Sequence, residues 1–128
     1  MSLHASLVVK KGKGPVIMNF LALASALGPP FVPEGQKSAW ALYTVLTRDS
    51  EQRSDLQSWL KEAGIPNVIY YAKPLHLQPV FESLGYKKGN FPVAEASADR
   101  VMSLPMHPYL SRQEQDRICE VISDKAKR

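Results

Sequence analysis

Residues 49–66 constrain this chain most, because there one apolar side of a helix is spelled out and then stopped. Leu56, Trp59, Leu60 and Ala63 fall at i, i+3, i+4 and i+7, which aligns them as a single stripe at 3.6 residues per turn. Asp49 or Ser50 can cap the start, since a short side-chain oxygen accepts a backbone N–H that the first turn leaves unpaired. Gly64 at the end and Pro66 beyond it are the stop. Such a helix must bury its stripe, and the run before it supplies a partner. Residues 38–47, SAWALYTVLT, are rich in β-branched and aromatic side chains and predict a strand. Trp40, Leu42, Thr44 and Leu46 would share one face, with Ala41, Tyr43, Val45 and Thr47 on the other. Both faces are largely apolar, so the strand is expected to be central and covered on each side.

The remaining elements follow from the same punctuation. Leu7, Val8 and Val9 suit a short strand, and Pro15 opens an apolar helix through Met18, Leu21, Leu23 and Ala26 that stops at Gly28. Residues 31–37 form a connector containing proline and glycine. Residues 67–71 predict a short strand, and residues 74–84 a loop leading into one or two helical turns. Pro92 begins a helix carrying Val93, Ala94, Val101 and Met102, which runs into a short strand at 102–104 cut off by Pro105. Ser111 with Glu114 three residues later is a capping box for the last helix, whose stripe is Ile118, Val121 and Ile122. The expected fold class is α+β, a small mixed β-sheet packed with helices. Its core is expected at Trp40, Leu42, Leu56, Trp59, Leu60, Val101, Ile118 and Ile122.

Composition excludes several functions. A chain of 128 residues with 45% hydrophobic and 22% charged residues fits one soluble domain. The net charge of +4 gathers at the ends, in Lys10, Lys11 and Lys13 and in Lys125, Lys127 and Arg128. Nucleic-acid binding would interleave basic and aromatic residues along one face, so none is expected. Cys119 is the single cysteine, which excludes an internal disulfide and suits a reducing, cytoplasmic setting. Basic residues 10–13, apolar residues 16–23 and Ala24-Ser25-Ala26 imitate a signal peptide, but the basic run follows Leu7, Val8 and Val9, so a buried helix is the reading taken. No segment approaches the roughly 20 apolar residues of a membrane span. His4, His76, His107 and Cys119 stand at unrelated spacings and predict no metal site. Glu34, Glu51, Glu62, Glu82 and Glu95 are scattered, with no carboxylate pair for glycosidase chemistry.

Three ordered motifs carry a resemblance. GIPNVIYYAKPLHLQP at 64–79, DLQSWLKEAGIP at 55–66 and PVAEASADRVMSLPMHPYLS at 92–111 follow one another after SAWALYTVL. Together they resemble the C-terminal small domain of the DegT/DnrJ/EryC1/StrS family, the pyridoxal-phosphate-dependent aminotransferases that act on nucleotide-linked sugars. The resemblance covers roughly residues 31–122. It implies a leader at 1–30 outside the family pattern and an aminotransferase-like small domain at 31–128, with the fold of the C-terminal domain of fold-type I aminotransferases. The family's Schiff-base lysine and the acid that pairs with the pyridine nitrogen have no counterpart here, so no catalytic and no cofactor-binding residue is expected in this chain alone.

The resemblance also assigns ancestral substrate contacts. Tyr71 matches a family tyrosine that points toward the sugar across a dimer interface, and Tyr70 stands where the family often has histidine. His76, in PLHLQP, sits in a loop where it can position a sugar hydroxyl or serve as scaffolding. Tyr43 matches a mid-strand tyrosine and is expected in the core. Three functions are compatible with this pattern, in order. The first is a small domain encoded alone, which folds but does not transaminate. The second is a homo-oligomeric interaction module in which the leader helps form the contact. The third is a small half complementing a separately encoded large domain that holds pyridoxal phosphate.

Overall fold

The computed structural model describes residues 27–126. The expected strand at Leu7–Val9 and helix through Met18 and Leu23 lie outside the described residues. Elements run in the order β1 (Tyr43–Leu46), α1 (Ser50–Glu62), two 3-10 turns (Leu75–Leu77 and Pro79–Leu84), α2 (Pro92–Arg100), β2 (Val101–Leu104) and α3 (Arg112–Ala126). The α+β class is therefore as expected. The pairings are all antiparallel among the described residues, rather than mixed. β1 pairs with β2 in the register Tyr43–Leu104, Thr44–Ser103, Val45–Met102 and Leu46–Val101. Single bridges extend this pair on both sides, from Gly28 to Leu46 and from Val68 to Ser103.

Helix ends are built from the residues the sequence offers. Asp49 caps α1, its Oδ1 accepting the Gln52 N–H at 2.8 Å, while Gln52 Oε1 takes the Arg48 N–H at 2.6 Å. At the other end the Ile65 N–H donates to the Leu60 carbonyl (2.8 Å) and the Gly64 N–H to the Lys61 carbonyl (3.0 Å). These two bonds make a Schellman motif, whose left-handed position falls to Gly64 at φ 69°. Ile65 and Leu60 then meet in the core, the apolar contact that accompanies this cap. The capping box of α3 is present as well. The Ser111 N–H and hydroxyl donate to Glu114 Oε2 at 2.7 and 2.6 Å, and the Glu114 N–H donates to Ser111 Oγ at 3.3 Å.

The core lies between one face of the sheet and two helices. Tyr43, Val45, Met102 and Leu104 face Leu56 and Leu60 of α1 and Ile118 and Ile122 of α3, with Leu27 and Ile65 at the margins. Four of the eight expected core residues are buried, and Trp40 and Trp59 pack half-buried against the cluster. Two expectations are corrected. Leu42 is 39% exposed, because only the Tyr43–Val45–Thr47 face of β1 is fully covered. Val101 is half-buried, since the period of two turns Met102 and Leu104 inward and Val101 outward.

The strand also begins later than residue 38. Trp40 has φ 49°, in the left-handed region that bulky residues rarely adopt, and this turn delays the extended run to Tyr43. Its N–H donates to Ser38 Oγ at 3.2 Å and its ring lies 5.3 Å from that of Tyr43. Residues 67–71 likewise give one bridge at Val68 in place of a strand. α2 carries Ala98 into the core, and Val93, expected on its apolar stripe, is exposed.

Leu60 is wholly buried, so Leu60→Ala should lower stability by about 2–5 kcal/mol. Leu42→Ala should cost less than about 1 kcal/mol. Chemical denaturation of both variants checks the assignment of the inner face, and equal losses would overturn it.

Candidate functional site

From Val68 the chain leaves the sheet, and its next α-helix begins at Pro92. Tyr70 and Tyr71 sit at the start of this excursion, directly after the Val68 bridge, at 57% and 67% exposure. Their rings reach solvent because residues 70 and 71 lie in a turn, where alternation between a buried and a solvent face no longer applies. Around them the same segment exposes Leu75, Val80, Leu84, Tyr86, Phe91 and Val93.

His76 is placed differently. Its side chain is 7% exposed, and its Nε2 lies 2.9 Å from Oε1 of Glu95, which is 13% exposed. The His76 ring packs on Phe91 at 4.8 Å, and Phe91 meets Tyr86 edge-on at 5.1 Å. The structure thus keeps Tyr70 and Tyr71 together at the surface and turns His76 inward to Glu95. The pairing was not visible in the sequence, where nineteen residues separate the two and Glu95 reads as one scattered acid among several. A faint signal exists in retrospect: Glu95 lies in the first turn of a helix whose N-cap, Phe91, has no capping side chain.

Burial acts to raise the Glu95 carboxyl. The N–H groups of Gly89 and Phe91 and the His76 ring outweigh it and hold the group below its ordinary value. Asp49 is lowered by the Gln52 N–H and by Arg48, and Glu114 by the Ser111 hydroxyl and N–H.

A groove of about 420 Å³ opens beside Tyr70, between the Gly64–Val68 turn and the Ser103–His107 segment, with Glu114 and Arg117 at its edge. Arg117 is already engaged, its Nη2 donating to the Ala63 carbonyl at 2.6 Å. Among the described residues no three His, Cys, Asp or Glu side chains gather to hold a metal ion. No described helix is long and apolar enough to cross a membrane.

The family model for DegT/DnrJ/EryC1/StrS aminotransferases matches residues 16–123. The chain belongs to that family. The match begins at residue 16, upstream of the connector at 31–37. A pleiotropic regulatory protein of Geobacillus stearothermophilus, also similar, is 41% identical over 80% of this chain and 27% of its own length. The UDP-2-acetamido-2-deoxy-3-oxo-D-glucuronate aminotransferase of Pseudomonas aeruginosa is 37% identical over 77% of the chain and 26% of its own. Among solved structures, a DegT/DnrJ/EryC1/StrS aminotransferase from Brucella abortus superposes with a TM-score of 0.76 at 40% identity, covering 88% of this chain and 29% of that one. The chain spans about a quarter to three-tenths of the length of these proteins.

Each lowered carboxyl gives up its proton more readily in the folded state than in the unfolded one. Its contribution to stability is complete above its ordinary value, 4.5 for the glutamates and 3.8 for Asp49. It is lost as pH falls through the lowered folded value. Thermal melts should therefore show stability falling below about pH 4.5. Glu114→Gln preserves the shape of the capping box and should make the acid decline shallower. An unchanged acid slope would contradict the role given to that carboxylate.

Proposed function

We propose that this chain is the C-terminal small domain of a pyridoxal-phosphate-dependent nucleotide-sugar aminotransferase, and that it does not transaminate by itself. The observation that carries this reading is the surface on which the Tyr70–Tyr71 pair stands within a family fold. Two phenol rings and several apolar side chains are exposed along one segment, residues 70–93, that contributes nothing to the core. A tyrosine offers an apolar ring and a hydroxyl that donates and accepts, a combination suited to a sugar face and its hydroxyls. In this reading Tyr71 orients the sugar and Tyr70 takes the place the family often gives to histidine. His76 acts through Glu95 on the shape of the loop rather than on the substrate.

The described residues do not fit the cofactor. Covalent attachment requires a lysine in a pocket that lowers its pKa or holds the phosphate. Lys37, Lys61, Lys73, Lys87 and Lys88 are all exposed. We assign the cofactor to a large domain against which the apolar segment packs. The single cysteine suits a cytoplasmic site of action.

Two measurements test the reading. Incubation with pyridoxal phosphate, borohydride reduction and mass analysis should leave the chain without a site-specific adduct. A stoichiometric phosphopyridoxyl adduct, at Lys73 for example, would overturn it. Light scattering of the chain alone should show a dimer or larger species, because apolar patches of several hundred Å² seldom stay uncovered. A monomer at high concentration would remove self-association from the proposal.

A further inference from the structure

The segment between Val68 and α2 is held in a manner unlike the rest of the molecule. The apolar cluster that joins sheet and helices includes Ile69 and then draws on nothing until Ala98 and Met102. Every residue from 79 to 94 is exposed. Hydrophobic burial therefore does little to order residues 70–91, and a chain of that length loses considerable backbone freedom when it is fixed.

Polar bonds meeting at one carboxylate do the fastening. Glu95 Oε1 lies 2.9 Å from His76 Nε2, which ties in the first 3-10 turn. The Gly89 N–H donates to both Glu95 oxygens, at 2.8 and 2.9 Å. The Phe91 N–H donates to Oε1 at 3.3 Å, closing the start of α2. Gly89 reaches this position at φ 96°, which a side chain would disfavour. Its turn is closed by the Asn90 N–H to the Lys87 carbonyl (3.1 Å) and by the Lys87 N–H to Asn90 Oδ1 (2.7 Å). Rings complete the knot, with His76 on Phe91 and Phe91 against Tyr86.

We propose that Glu95 is a latch, which keeps residues 70–91 as one ordered arm able to open while the sheet-and-helix core stays folded. Removing the carboxylate strands the His76 ring and two backbone N–H groups together, so the arm lets go as a unit. The core keeps its own fasteners. Thr47 is fully buried, its N–H bonded to the Arg100 carbonyl and its own carbonyl to Arg100 Nε. Local opening of a segment with little apolar burial beneath a stable core is the expected hierarchy. This inference does not rest on the function proposed above, since it concerns only what holds the arm that carries Tyr70 and Tyr71.

Limited trypsin digestion reads the latch, because Lys87 and Lys88 lie in the arm and neither is followed by proline. In Glu95→Ala, cleavage after Lys87 and Lys88 should be at least about tenfold faster than in the parent chain, reflecting a larger open population. Amide exchange should lose protection at Gly89 and Phe91 and keep it at Val45 and Met102. Gly89→Ala offers a second route that leaves every charge in place. A Cβ there meets no atom within 4 Å, so only the backbone strain at φ 96° acts. It should reproduce the same pattern. Unchanged cleavage in Glu95→Ala would overturn the latch. So would loss of core protection in step with the arm, in both variants, which would make Glu95 part of the global fold.

Discussion

Four residue pairs between β1 and β2 set a register on which the remaining structure depends. Tyr43 opposite Leu104 and Val45 opposite Met102 put four apolar side chains on one face, and a slip of one residue would turn the slipped strand's pair outward. The buried end of β1 secures this register. The Thr47 N–H donates to the Arg100 carbonyl at 3.0 Å, and Arg100 Nε returns a bond to the Thr47 carbonyl at 2.6 Å. The Thr47 hydroxyl lies 2.8 Å from the carbonyls of both Asp49 and Arg100, joining the strand end to the cap of α1 and the end of α2. Arg53 adds a bond from Nη1 to the Ala98 carbonyl at 2.6 Å. Helix α1 is thereby held over the inner face, and β2 is delivered to the edge where Val68 can pair with Ser103.

That edge is where the core hands over to the arm. The Val68 bridge fixes the point at which the chain leaves the sheet, and Tyr70 and Tyr71 follow within three residues. The core determines where the arm begins, and the Glu95 cluster determines its shape. Two kinds of force are therefore separated in sequence, apolar burial in the core and charge-assisted hydrogen bonds in the arm. A segment held in the second way can present tyrosines and apolar side chains to a partner without drawing them into its own interior.

Local chemistry was legible in the sequence wherever it is short-range. Asp49, the Gly64 stop, Pro92 at the first turn of α2 and the Ser111–Glu114 box all act within a few residues, and each has the part expected of it. Long-range choices were not legible. Residues 38–47 carry strand-forming side chains throughout, yet the left-handed turn at Trp40 admits only Tyr43–Leu46 to the sheet. Which face of β1 would be buried depended on α1 and α3 both packing on one side, and this left Leu42 partly in solvent. For the candidate site, the resemblance to the family proposed Tyr70, Tyr71 and His76 by position. The burial of His76 against Glu95 needed the fold, because a contact across nineteen residues leaves no periodic trace.

In the function proposed above, the tyrosine edge of the arm faces a sugar site completed by a cofactor-holding large domain. Photocrosslinking from position 71 tests it most directly. Benzoylphenylalanine would replace Tyr71, and the chain would be illuminated with the large-domain portion of a family aminotransferase present. The prediction is a covalent product between the two polypeptides that diminishes when the nucleotide-linked sugar substrate of that aminotransferase is added. A product whose yield that substrate leaves unchanged, or none at all at concentrations where the two polypeptides associate, would contradict the placement of Tyr71 at that site.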